Sequence, residues 1–114
     1  RGGAIGNTLH TVTETATKAV SIQLDASSGS LLMVEVDNTG NCEVAYLNLY
    51  DASSATLGTT VEDWVFPAAA GARTTYSCPK GCAYDTGLTA GIVQTPGTDV
   101  GPSVSVTAYV LVET

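Results

Sequence analysis

Two-residue alternation recurs along this chain, and no segment keeps a 3.6-residue period. Val20, Ile22 and Leu24 alternate with Ser21, Gln23 and Asp25. Leu32, Val34 and Val36 alternate with Met33, Glu35 and Asp37, and Ala45, Leu47 and Leu49 with Tyr46, Asn48 and Tyr50. Leu88, Ala90 and Ile92 form a further row, and Val104 to Val112 a longer one, with Ser105, Thr107, Tyr109 and Leu111 on its other face. In a strand, alternate side chains point to opposite faces, so each row predicts a half-buried strand. Weaker strands are expected over Thr8 to Glu14, Val61 to Phe66 and Arg73 to Ser77. Only Thr13 to Lys18 and Ala52 to Leu57 have room for a helical turn.

Turn residues separate the rows. They are Ala26-Ser27-Ser28-Gly29, Asp37-Asn38-Thr39-Gly40, Asp51-Ala52-Ser53-Ser54, Pro67 to Gly71, Pro79-Lys80-Gly81 and Thr95-Pro96-Gly97. Seven or eight short strands at this spacing predict an all-β fold, an antiparallel β-sandwich of jelly-roll-like form. A chain of 114 residues is long enough for one core without metal or disulfide support. We therefore expect a single sandwich domain over residues 10–114, preceded by a flexible N-terminal arm over residues 1–9 with glycines at Gly2, Gly3 and Gly6. The last strand is mostly apolar on one face and Ser, Thr and Tyr on the other, and its edge, if free, would be an association surface. Arg1 in place of Met fits either a removed leader or a longer parent chain.

Charge narrows the function classes. Four basic residues, Arg1, Lys18, Arg73 and Lys80, stand far apart against 11 acidic ones, for a net charge of -7. Phosphate neutralisation needs a basic patch, so nucleic acid is not an expected partner. No apolar run approaches the length of a membrane helix, so no membrane partner is expected either. Charged residues are only 13% of the chain, which leaves a largely neutral Thr/Ser surface that is cheaply desolvated against a protein partner.

No catalytic or cofactor site is expected. Asp85-Thr86-Gly87 matches the tripeptide of dimeric aspartic proteases, but Leu88 follows where Ser or Ala is usual. Too little chain remains after Gly87 to frame such a site, and the tripeptide is an ordinary turn. His10 has no nucleophile near it in sequence, and Cys42, Cys78, Cys82 and His10 are too dispersed to predict a zinc site. Cys78 and Cys82 bracket a tight Pro-Lys-Gly turn; they are spaced for a disulfide or stand as two free thiols. The third cysteine, Cys42, is then buried or bonds another chain. Trp64 and Phe66 share one face of a strand, as core or as interface anchors. Tyr46, Tyr50 and Tyr109 lie opposite the aliphatic rows and suit contacts that are part apolar and part wet.

Several segments in order resemble a group of small virion structural proteins of tailed bacteriophages. They are Ala45-Tyr46-Leu47-Asn48-Leu49-Tyr50-Asp51, Leu57-Gly58-Thr59-Thr60, Phe66-Pro67-Ala68 with Gly71, Cys82-Ala83-Tyr84-Asp85-Thr86-Gly87-Leu88-Thr89, and the Thr/Ala/Val-rich last strand. The chain departs from that pattern at Asn48, where Lys is common, at Trp64, where an aliphatic residue is usual, and in the Cys78–Cys82 turn. The resemblance implies a decoration or cement protein, made in the host cytoplasm and carried on the capsid surface. It implies a homotrimer whose partner is the major capsid protein, with no cofactor. On that reading Arg1, Gly2, Gly3, Ile5 and Leu9 belong to an inter-subunit arm, and Tyr46, Trp64, Phe66 and Tyr109 are interface anchors. The alternatives are a tail, fibre or head-spike component that contacts the host, and a carbohydrate-binding β-sandwich module.

Overall fold

Aliphatic residues at alternate positions draw the chain into eight strands. They are β1 (Asn7–Glu14), β2 (Ile22–Asp25), β3 (Gly29–Asp37), β4 (Ala45–Tyr50), β5 (Trp64–Ala68), β6 (Arg73–Tyr84), β7 (Leu88–Val93) and β8 (Val106–Glu113). The structure is a computed structural model that describes residues 7–14 and 18–114. No helix occurs among the described residues. The expected helical turn at Ala52 to Leu57 is irregular chain, and Thr13 and Glu14 belong to β1. Residues 1–6 of the expected arm lie outside the described residues. Asn7, Thr8 and Leu9 are paired in β1 with Glu113, Val112 and Leu111.

The strands form two four-stranded sheets, ordered β1-β8-β3-β6 and β2-β7-β4-β5, with every pairing antiparallel. First pairs with last, second with seventh, third with sixth and fourth with fifth. This is an antiparallel ribbon folded back on itself and wrapped into a sandwich, the jelly roll expected from the sequence.

The sheets meet over their aliphatic rows. Leu31, Val34, Val36, Val106, Ala108, Val110 and Val112 face Ala45, Leu47, Leu49, Leu88, Ala90 and Ile92, and all are buried. Two expected rows depart from the pattern: Val20 lies outside β2 and both it and Ile22 are exposed, with only Leu24 of that row packed on the core, and the row of β3 shifts. Leu31 rather than Leu32 enters the core, because the ladder slips between Leu31 and Met33 against both β6 and β8. Such a bulge lets two residues oppose one and resets the alternation. The predicted turn at Pro79-Lys80-Gly81 is the other side of this irregularity, an excursion within β6 rather than the end of a strand.

A second, smaller cluster lies outside the β2-β7-β4-β5 sheet. Ala19, Tyr50, Leu57 and Val93 are packed together, with Tyr46, Ala52 and Ala55 against them. The sheet makes room for the covering loop at Gly91, where a Cβ would stand 2.5 Å from Leu57 Cδ2. All six residues of β7 are buried as a result, apolar chains on one face and loop on the other.

Polar side chains tie the connections at one end of the sandwich. Asn38 is fully buried, and its Nδ2 donates to the carbonyls of Glu43 (2.8 Å), Ala68 (3.1 Å) and Ala69 (3.1 Å). Asn41 Nδ2 donates to Asn38 Oδ1 (2.9 Å) and to Val104 O (2.9 Å), while its Oδ1 accepts from Val104 N (3.0 Å). Val104, expected to open the last strand, is thus held by Asn41, and β8 begins at Val106. Tyr76 of β6 links the two sheets. Its ring lies 5.1 Å from that of Phe66, and its hydroxyl donates to Pro67 O on β5.

Candidate functional site

The outer face of the β1-β8-β3-β6 sheet carries side chains in cross-strand rows. Leu9, Leu111, Met33 and Ser77 stand side by side in register. The next row is Thr11, Tyr109, Glu35 and Thr75, and the one after it Thr13, Thr107, Asp37 and Arg73. The face therefore grades from apolar at one end to charged at the other. Leu9 is 57% exposed at the apolar end. At the charged end Arg73 Nη2 donates to Asp37 Oδ2 at 3.1 Å, with Glu35 Oε1 at 3.9 Å from Arg73 Nε. The Thr39 hydroxyl at 2.6 Å and the Thr39 backbone N–H hold the Asp37 carboxyl below its ordinary range, and Arg73 adds to the effect.

The edge of this sheet is formed by β1, not by the last strand. The jelly-roll order places β8 between β1 and β3, so β8 has no free edge. The four edge strands differ in how they resist further pairing. The strand β6 is interrupted by its excursion, which carries Pro79 and Lys80. β5 has five residues and contains Pro67, and β2 has four with a register slip between Gln23 and Asp25. By contrast, β1 is eight residues long, pairs without a slip, and contains no Pro, Lys or Arg. Among the described residues its outer edge pairs with no strand.

The expected interface residues do not share one surface. Leu9 and Tyr109 lie on the face just described, in adjacent rows. Tyr46 is on the outside of the other sheet, half-buried against the smaller cluster. Trp64 and Phe66 point inward and pack on the main core. Arg1, Gly2, Gly3 and Ile5 lie outside the described residues. Tyr50, read as facing away from the aliphatic row, does so, but the covering loop buries it completely. Burial pushes its hydroxyl above the usual tyrosine range, and neither that oxygen nor Asn48 Oδ1 has a partner among the described residues. Sequence alternation gives the facing of Tyr50 correctly but carries no sign of the loop above it.

Asp85-Thr86-Gly87 is a turn at one end of the sandwich, anchored by Asp51. The Asp51 carboxylate accepts from Asp85 N at 3.0 Å and from Thr86 N at 3.0 Å. These donors hold the Asp51 carboxyl below its ordinary value of 3.8, Thr86 most strongly. Beside it Tyr84 donates to Asp25 Oδ2 at 2.7 Å; burial first, then that carboxylate, push the Tyr84 hydroxyl far above the tyrosine range. His10 is half-buried on the inward row of β1, opposite Val110. Among the described residues no three His, Cys, Asp or Glu side chains are grouped to hold a metal. No helix among them is long and apolar enough to cross a membrane.

No protein-family model matches the chain, and no curated protein matches it in sequence. Among solved structures it is similar to PliG of Aeromonas hydrophila, a periplasmic inhibitor of g-type lysozyme (TM-score 0.48, 14% identity, 99% of this chain and 90% of that one). It is also similar to the coat protein of Tobacco streak virus (TM-score 0.47, 4% identity, 96% and 87%). A third neighbour comes from the Bacillus endospore appendages, a family of disulfide-linked pili (TM-score 0.42, 13% identity, 99% and 93%). These neighbours comprise an enzyme inhibitor, a viral coat and a pilus, and no single role follows from the likeness.

Proposed function

We propose that this chain is a structural virion protein that binds the outer surface of a tailed-phage capsid and stabilises the shell as a decoration or cement protein. It acts as a homotrimer, with the major capsid protein and its own copies as partners. The observation that carries this reading is β1, a long unblunted sheet edge bordered by the apolar row of Leu9, Leu111 and Met33. An edge of that kind accepts a further strand through its backbone, and the flanking apolar side chains add buried area. The order of motifs shared with small phage virion proteins supports the same role. Binding across a seam between shell subunits stabilises only the assembled state, and three copies about one axis multiply the effect by avidity. The net charge of -7 keeps decorated particles apart. Nothing in this role calls for catalysis or a cofactor.

Electron microscopy of particles labelled with an antibody to this domain tests the proposal. Regular labelling over the shell is the expected result. Labelling confined to the tail or spikes would replace decoration with host attachment, and unlabelled particles would remove the virion role. Deleting residues 1–6 keeps all of β1 and separates the arm from the edge. Shell occupancy and heat resistance should fall on deletion, and unchanged values would withdraw the arm from the proposal.

A further inference from the structure

The excursion in β6 holds two thiols together. On β3 the partners of Ser77 and Cys82 are Met33 and Leu31. Those partners are two residues apart, about 6.6 Å along a strand. The chain from Ser77 to Cys82 therefore folds back over a distance that two residues of β3 span. In regular extended chain Cys78 and Cys82 would stand roughly 13 Å apart. The excursion removes most of that separation and draws them toward the Cα spacing of about 4.4–6.8 Å at which a disulfide closes.

Two residues make the reversal. Pro79 fixes its own φ, and Gly81 takes a φ of +77°, which L side chains rarely adopt. Both cysteines pack on the same main core, so their side chains fall on one side of the strand. Both also line one surface recess with Ser77, Pro79, Lys80 and Gly81, which leaves them within reach of a small reagent. Burial, with Cys82 beside it, pushes Cys78 up to about 11, so at neutral pH it is held as a thiol. Cys42 is exposed and free.

We infer that Cys78 and Cys82 are an oxidation site, converted by a small-molecule disulfide into an intramolecular Cys78–Cys82 bond that clips the β6 excursion shut. One sulfur attacks the external S–S bond, forming a mixed disulfide and releasing one external thiol. The second sulfur then displaces the other external half. One S–S bond forms and one breaks; two protein thiols give up two protons and two electrons to the external disulfide, which leaves as two external thiols. This inference is independent of the virion role.

The test uses the full chain with Cys42→Ser, which removes the exposed third thiol, and oxidised glutathione as the reagent. The expected product is a monomer lighter by two hydrogens, with no free thiol and a peptide cross-linked between Cys78 and Cys82. A stable glutathione adduct, a disulfide-linked dimer, or two unreacted thiols would overturn the inference. Closure should also be favoured in the folded chain over the urea-unfolded chain by roughly thirtyfold against glutathione, the factor expected for a five-residue loop. Equal constants in the two states would show that the fold does not hold the sulfurs together, and would overturn it as well.

Discussion

Asn38 donates through one amide group to three carbonyls, one in the β3–β4 connection, one at the end of β5 and one just beyond it, and it is itself fully buried. Removing it takes the donor from the Glu43 carbonyl and from the buried bond to the Ala68 carbonyl, while Ala69 O still accepts from the Ala72 N–H. We expect Asn38→Ala to destabilise the protein by about 3 kcal/mol, read by urea denaturation. A loss below about 1 kcal/mol would mean that water replaces the amide. Asp51 gives a different signature, in pH. Its folded carboxyl lies below 3.8 because the Thr86 and Asp85 amides favour the charged form. A depressed carboxyl stabilises the fold fully above its unfolded value, and the contribution disappears as pH falls through the folded value. Stability should therefore hold from neutral pH down to about pH 4 and decline below it. Asp51→Asn should be less stable at neutral pH and show a shallower acid decline, measured by thermal melts across that range.

At the scale of elements, the outer edge of β1 and the excursion in β6 carry the two functional ideas. Leu9 lies on the outer face, so Leu9→Lys should change the folding stability by no more than about 0.5 kcal/mol. It should nevertheless weaken capsid binding at least about tenfold, since a buried lysine opposes an apolar contact. Sedimentation of shells with the variant checks this, and undiminished binding would place the interface elsewhere. Closing the Cys78–Cys82 clip should raise thermal stability by about 2 kcal/mol, or about 8 °C in Tm. Element by element, the alternating rows of β4, β7 and β8 are legible in the sequence because both partners of each row are simple aliphatics. β3 is legible at Val34 and Val36 but not before them, because the slip at Leu32 brings Leu31 rather than Leu32 inward while leaving the pattern of hydrophobic letters intact. Nor does Pro79-Lys80-Gly81 announce that the chain resumes the same strand beyond it. Turn residues mark a change of direction, and only the pairing partner decides whether a hairpin or an excursion results.

Over the whole molecule, the nested pairing decides which surfaces exist. In the sequence, the last strand is an association surface only if its edge is free. In the folded protein that strand is central, and the first strand takes the edge. Its long-range pairing with β8 is a property of topology that no local pattern encodes. The burial of Tyr50 has the same origin, because Leu57 reaches it from a loop on the far side of the sheet's outer surface.

The same nesting bears on how the protein is made. Asn7 pairs with Glu113 and Leu9 with Leu111, so nearly the whole chain separates the partners of that ladder. Contacts of such long range are slow to form, because loop closure must come before any contact rewards it. During synthesis β1 waits unpaired until β8 emerges, and β3 has only β6 beside it until then. A chain that stops before Val106 should fail to fold and should aggregate, whereas the full chain should refold over milliseconds to seconds.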